Sequence, residues 1–195
     1  REITASGAGI AVEVINRNGG TAGDGLAEAA VADLLTRGVD AIIGPSSAEV
    51  ATLVAPLTID AGVPLVSASA TGDRPAGSSP GFWRDIPSTT AQAAALAAAL
   101  GVESTALLRA DDATGAAWAA GLQPTTDVVL GADPVADAAT IADADPDAVV
   151  VSTADAGEAT AAAVSALLAA GVPADAIWIT GRSLGSYPAV GGALE

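Results

Sequence analysis

GVDAIIGPSSAEVATLVAPLTIDAGVPLVS, residues 38–67, carries the logic of the fold in one pass. Gly38 ends one segment, 41–44 forms a short apolar run, and Pro45, Ser46 and Ser47 interrupt it. Over 49–60, Val50, Leu53, Val54 and Leu57 fall on one side of a helix of ordinary pitch. Gly62 then closes that helix, and 64–67 opens a second apolar run. Both runs are continuously apolar, as in strands covered on both faces of a parallel sheet.

The same rhythm extends in both directions. Strands are predicted over 41–44, 64–67, 105–109, 127–130, 148–152 and 176–180. Helices are predicted over 8–16, 26–37, 49–60, 90–100, 113–122, 135–143 and 157–170. Helix end, glycine and strand follow one another in 36–44, 60–67, 100–108 and 170–180. Alternation of this kind with short connections predicts an α/β fold of doubly wound parallel sheets. The chain opens on a predicted helix, and 19–25 joins two helices where another strand belongs. The expected division is 1–98 as a first lobe whose first strand is missing, and 99–195 as a second, partial lobe. With no initiator Met and no signal peptide, the chain reads as a processed or partial one.

Composition narrows the function. The chain has 195 residues, 51% of them hydrophobic, which suffices for one sizeable core or two smaller ones. Aromatic residues make up only 3%, so cores must be built from Ala, Val and Leu. No apolar run approaches the roughly 18–20 residues of a membrane span. The net charge is −16, and all seven basic residues are arginine. Such a surface repels phosphate backbones and anionic headgroups, which argues against nucleic acid as a partner. The chain contains no Cys, His, Lys or Met. Typical structural zinc sites, Ser-His and Cys-His nucleophile pairs, Schiff-base lysines and the P-loop lysine are thereby excluded. A carboxylate mechanism or a magnesium site on Asp111, Asp112 or Asp155 is the remaining enzymatic reading. No catalytic residue, metal or cofactor is assigned.

Three segments carry a family resemblance: GVDAIIGPSS (38–47), AGVPLVSASAT (61–71) and FWRDIPS (82–88) leading into a helix with Gln92. In this order they resemble the type I periplasmic solute-binding proteins of the branched-chain amino-acid (Leu/Ile/Val) family of ABC transporters. ADDATG (110–115) and PDAVVVS (146–152) are similar to that family's second lobe. The resemblance implies a two-lobed fold that captures a small carboxylate-bearing solute between its lobes without catalysis. It also implies a membrane permease as partner and an extracytoplasmic location, periplasmic, cell-surface or lipid-anchored. A ligand-sensing domain of the same fold is the alternative.

The candidate binding residues are Ser46, Ser47, Ser67, Ser69, Thr71, Asp112 and Thr153. Ser46 and Ser47 stand where a strand hands over to a helix N-terminus, which offers unpaired N–H groups and partial positive charge to an anion. Ser67, Ser69 and Thr71 lie just past the next strand, where open α/β sheets bind ligands. In the family this neighbourhood holds a ligand carboxylate. Capping and turn formation account for the same serines and threonines. Asp111 and Asp112, and likewise Thr153 and Asp155, fit either ligand contacts or helix caps. The family often places an acid after the strand at 176–180 to meet a ligand ammonium, whereas this chain reads Gly181-Arg182-Ser183. A carboxylate without an ammonium therefore suits the sequence better than an α-amino acid. Trp83, Trp118 and Trp178 are expected in the core.

Overall fold

A computed structural model describes residues 2–4, 11–72, 81–153 and 157–181. The chain forms two compact units, Arg1–Pro87 and Ser88–Glu195. The first begins with two short strands, β1 (Glu2–Thr4) and β2 (Ala11–Glu13), paired antiparallel with Glu2 opposite Glu13. The helix expected over 8–16 is therefore wrong in its described part; 5–10 lie outside the described residues. The sequence contains the reason. Ile10, Val12 and Val14 alternate with small or polar residues, and β-branched side chains in period two favour an extended chain.

Then follow α1 (Leu26–Thr36), β3 (Ile42–Ile43), α2 (Ala48–Asp60), β4 (Leu65–Ser67) and β5 (Phe82–Arg84). The last three strands make a parallel sheet in the order β3-β4-β5. β5 arises where no strand was expected, its three residues being too few to show a period. Ile42, Leu65 and Phe82 stand in register and are buried with Val31 of α1 and Val50 and Val54 of α2. The neighbouring row, Ile43, Val66 and Trp83, is on the opposite face by the pleat of the strands. Ile43 is 85% exposed and Trp83 65%. Among the described residues, helices thus cover one face of this sheet, and the expectation of two covered faces is not met here.

It is met in the second unit. There α3 (Thr89–Leu100), β6 (Thr105–Arg109), α4 (Ala113–Leu122), β7 (Thr126–Val129), α5 (Pro134–Asp143), β8 (Ala148–Ser152), α6 (Glu158–Ala169) and β9 (Ile177–Ile179) follow in turn. The parallel sheet runs β7-β6-β8-β9. Leu107 and Val150 pack towards Ala93 of α3 and Trp118 and Leu122 of α4. Ala106, Leu108, Val149 and Val151 pack towards Ala138 and Ile141 of α5 and Ala163 and Leu167 of α6. Every residue of β8 is buried. This unit is a doubly wound parallel sheet, and the α/β reading holds for both units. Of the three tryptophans only Trp118 joins a core; Trp83 and Trp178 are exposed.

Small side chains let α3 and α4 approach closely. A Cβ built on Gly121 would fall 2.8 Å from the Ala93 Cβ and 3.0 Å from the Thr90 carbonyl carbon, and closer still to the Thr90 oxygen. Gly121→Ala therefore sets two effects against each other. Alanine gains about 1 kcal/mol of helix propensity over glycine. Overpacking against a backbone costs about 1–3 kcal/mol. Urea unfolding should show a net loss of stability; a gain would refute the close helix contact.

Asp147 ties two strand entrances together. Its carboxylate accepts from the Ser104 N–H and hydroxyl, each at 2.8 Å. The hydroxyl bond, then the backbone bond, holds the Asp147 carboxyl below its usual 3.8. A carboxyl with a depressed folded-state pKa stabilises the fold above its unfolded pKa and loses that contribution as pH falls through the folded value. The stability difference between the wild type and Ser104→Ala should be full at about pH 7 and shrink below about pH 4. A difference that stays constant down to about pH 2 would show that the carboxylate contributes nothing.

Candidate functional site

Because β3, β4 and β5 are parallel, their carboxyl ends share one edge, and α2 starts there. Gly44 leaves β3 with φ of 120°, a conformation that side chains with a Cβ rarely adopt. That turn delivers Pro45 and Ser46 to the edge and Ser47 to the N-cap of α2. The Ser47 hydroxyl accepts from Val50 N–H at 3.4 Å and donates to Glu49 Oε2 at 3.1 Å. The long cap bond leaves the first turn loosely held.

From β4, Ser67 is buried and its hydroxyl is used three times. It donates to the Pro45 carbonyl at 2.6 Å and accepts from Ala70 N–H at 3.0 Å and Ser69 N–H at 3.4 Å. The Ser69 hydroxyl donates to the Ser46 carbonyl at 3.2 Å. The loop after β4 is thus bonded to the loop after β3. Ser46, Ser47, Ser67 and Ser69 form one connected edge, with half-buried Thr71 two residues beyond Ser69.

One member of this edge was not anticipated. Arg84 ends β5 and is the in-register neighbour of Ser67. Its Nη1 donates to the Ala70 carbonyl at 3.3 Å and the Gly72 carbonyl at 2.5 Å. The sequence signal was present in FWRDIPS, but without a strand at 82–84 nothing set Arg84 beside Ser67.

The carboxyl edge of the second sheet carries the other candidates. Asp112 is the N-cap of α4, accepting from Gly115 N–H at 2.7 Å. This matches the capping alternative read from the sequence. The buried Thr153 hydroxyl meets that of Thr160, 2.5 Å away. Ser152, unremarked in the sequence, is buried with a hydroxyl that has no hydrogen-bond partner. Its in-register neighbour Arg109 is held by both oxygens of Asp127, at 2.8 and 3.0 Å. That pairing, above all, raises the Arg109 pKa further above its usual range. Asp155, Arg182, Ser183 and Tyr187 lie outside the described residues. Among the described residues no group of carboxylates is arranged to hold a metal ion.

Comparison with known proteins now bears on this geometry. Residues 7–123 match the family described as the receptor family ligand binding region. Among solved structures, the chain is similar to an ABC transporter substrate-binding protein from Sphaerobacter thermophilus, at 22% identity and a TM-score of 0.67, covering 85% of this chain and 51% of that one. It is similar to an ABC transporter solute-binding protein from Rhodopseudomonas palustris HaA2 in complex with p-hydroxybenzoic acid, at 22% identity and a TM-score of 0.63, covering 85% and 50%. A third is an ABC transporter substrate-binding protein from Desulfitobacterium hafniense in complex with Leu, at 17% identity and a TM-score of 0.59, covering 73% and 48%. The chain spans about half the length of these structures. None of the curated proteins matches it. The likeness establishes the type I periplasmic-binding-protein fold, and the matched family is one of ligand binding, not catalysis.

Ser67→Ala tests the edge itself. It strips a donor from Pro45 and an acceptor from Ala70 while leaving the apolar packing of β4 intact. Leaving buried groups unpaired costs about 1–3 kcal/mol. Urea unfolding should show that loss, with faster amide exchange at Ala70. Unchanged exchange at Ala70 would mean the Ser67 hydroxyl does not hold the loop.

Proposed function

The chain belongs to the receptor family of ligand binding regions, and on that premise we propose that it is part of an extracytoplasmic solute-binding receptor for an ABC importer. The solute is a small molecule bearing a carboxylate, and its carboxylate lies at the edge formed by Ser46, Ser47, Ser69 and Thr71. The observation that carries this reading is the arrangement of that edge. Hydroxyls and the first turn of α2 converge there, and a helix N-terminus favours negative charge. p-Hydroxybenzoic acid and Leu, held by two structures of similar fold, share only a carboxylate. An aromatic or aliphatic acid without a paired ammonium fits best. On the second unit, Asp112 and Thr153 lie at strand ends and are proposed as further binding residues. The partner is a membrane permease that receives the loaded protein. The receptor context of the family also fits a ligand-sensing domain, which the full gene would distinguish by an attached signalling segment.

Ser47→Asp separates capping from binding. Asp caps helices about as well as Ser but cannot donate to the Glu49 carboxylate as the Ser47 hydroxyl does, so a small loss of about 0.5 kcal/mol is expected. The new negative charge, however, occupies the place of the ligand carboxylate. In a thermal-shift screen of the full-length protein with amino acids, benzoates, short organic acids and sugars, a ligand at about 100 times its Kd adds about 2.7 kcal/mol of stability. A carboxylate-bearing hit is expected for the wild type. It should be lost on Ser47→Asp and weakened on Thr71→Ala. Equal binding by wild type and Ser47→Asp would move the solute away from this edge, and a sugar-only response would overturn the carboxylate reading.

A further inference from the structure

We propose that Arg84 makes this edge selective for anions, by covering the loop carbonyls with one nitrogen and presenting its remaining N–H groups to the charged end of the solute. The inference rests on the solute-binding reading given above. Its basis is the loop backbone at this edge, whose carbonyl oxygens would repel a carboxylate if left uncovered. Four of these loop carbonyls, those of Pro45, Ser46, Ala70 and Gly72, accept from side chains. Ser67 covers Pro45, Ser69 covers Ser46, and Arg84 Nη1 covers both Ala70 and Gly72. Those carbonyls are thereby taken up, and the hydroxyl protons of Ser47, Ser67 and Ser69 are spent on Glu49, Pro45 and Ser46, so Arg84 supplies the cationic donors of this edge.

Arg84 is also set apart by its lack of a counterion. Among the described residues, Arg17 and Arg37 share Asp33, and Arg109 holds Asp127, whereas no carboxylate pairs with Arg84. The chain carries 23 acidic residues against seven arginines, so unpaired arginine is the rarer condition. Guanidinium has five N–H donors in a planar fork. Nη1 is spent on the loop, while Nε and Nη2 have no hydrogen-bond partner among the described residues. Arg84 is half-buried, one strand away from Ser67 and on the same face of the pleat. A ligand carboxylate would complete its coordination through charge-assisted bonds, and the local cation would offset the repulsion that a net charge of −16 exerts on any incoming anion.

The test compares two probes of one shape, 4-hydroxybenzoate and the neutral 4-hydroxybenzamide, with leucine and leucinamide as an aliphatic pair. Affinities for the full-length protein are measured by calorimetry for the wild type, Arg84→Gln and Arg84→Lys. The wild type should favour at least one carboxylate over its amide by about tenfold or more. Arg84→Gln should reduce that ratio to about threefold or less, and Arg84→Lys, which keeps the charge but not the fork, should give a ratio between that and the wild type's. A merely structural role would weaken acid and amide together and leave the ratio unchanged, which would overturn the proposal. If Arg84→Gln fails to fold, Arg84→Lys decides: a folded lysine variant with the full wild-type ratio overturns it. A wild type that binds an acid and its amide equally well defeats the role of Arg84 but leaves solute binding standing. A wild type that binds no probe from this set or from the wider screen defeats both.

Discussion

Parallel pairing is the constraint on which the rest of this molecule depends. Two parallel strands cannot be joined by a tight turn; the chain must cross over and return, and in the second unit it does so through a helix each time. All strands of a sheet then end at one edge. In the first unit that edge collects Ser46 and Ser47 from the end of β3, Ser67 and Ser69 from the end of β4, and Arg84 from the end of β5. Ser46 and Ser69, 23 positions apart, and Ser67 and Arg84, in register on adjacent strands, become neighbours because the strands leading to them run the same way.

The two units meet that constraint with different amounts of cover. In the second, α3 and α4 take one face of the sheet and α5 and α6 the other, so the central strands vanish from solvent. Alanine at most contact positions, and glycine at 121, lets helix backbones lie close enough for a core with few aromatic rings. In the first, among the described residues, α1 and α2 cover the face of Ile42, Leu65 and Phe82, while on the other face Ile43 and Trp83 are exposed and Val66 is half-buried. A continuous apolar run thus had the same appearance in both sheets and two different outcomes.

The polar side chains of the strand ends are first of all structural. Ser67 spends its hydroxyl on three backbone groups, Asp112 caps α4, and Thr153 meets Thr160. Structural use and binding are not opposed here. Fixing the loops costs conformational freedom during folding, and a site so ordered loses less when a ligand arrives. With the Pro45, Ser46, Ala70 and Gly72 carbonyls already covered by Ser67, Ser69 and Arg84, fewer free acceptors remain there to repel an anion.

Sequence by itself determined the α/β alternation, all six helices from 26 onward to within a residue or so at each end, and the absence of the residues on which most catalysis relies. These follow from local physics: helical period, glycine at helix ends, continuous apolar runs. It failed at 11–13, where a window of a few residues fits either period, and at 82–84, where three residues show no period at all. Tertiary structure alone decided which strands became neighbours, that Ser67 and Arg84 stand in register, that Ser152 is buried with no hydrogen-bond partner among the described residues, and that Ile43 and Trp83 of the first sheet are exposed. Those facts depend on pairing and cover between distant segments, and no local pattern encodes which segment will lie alongside another.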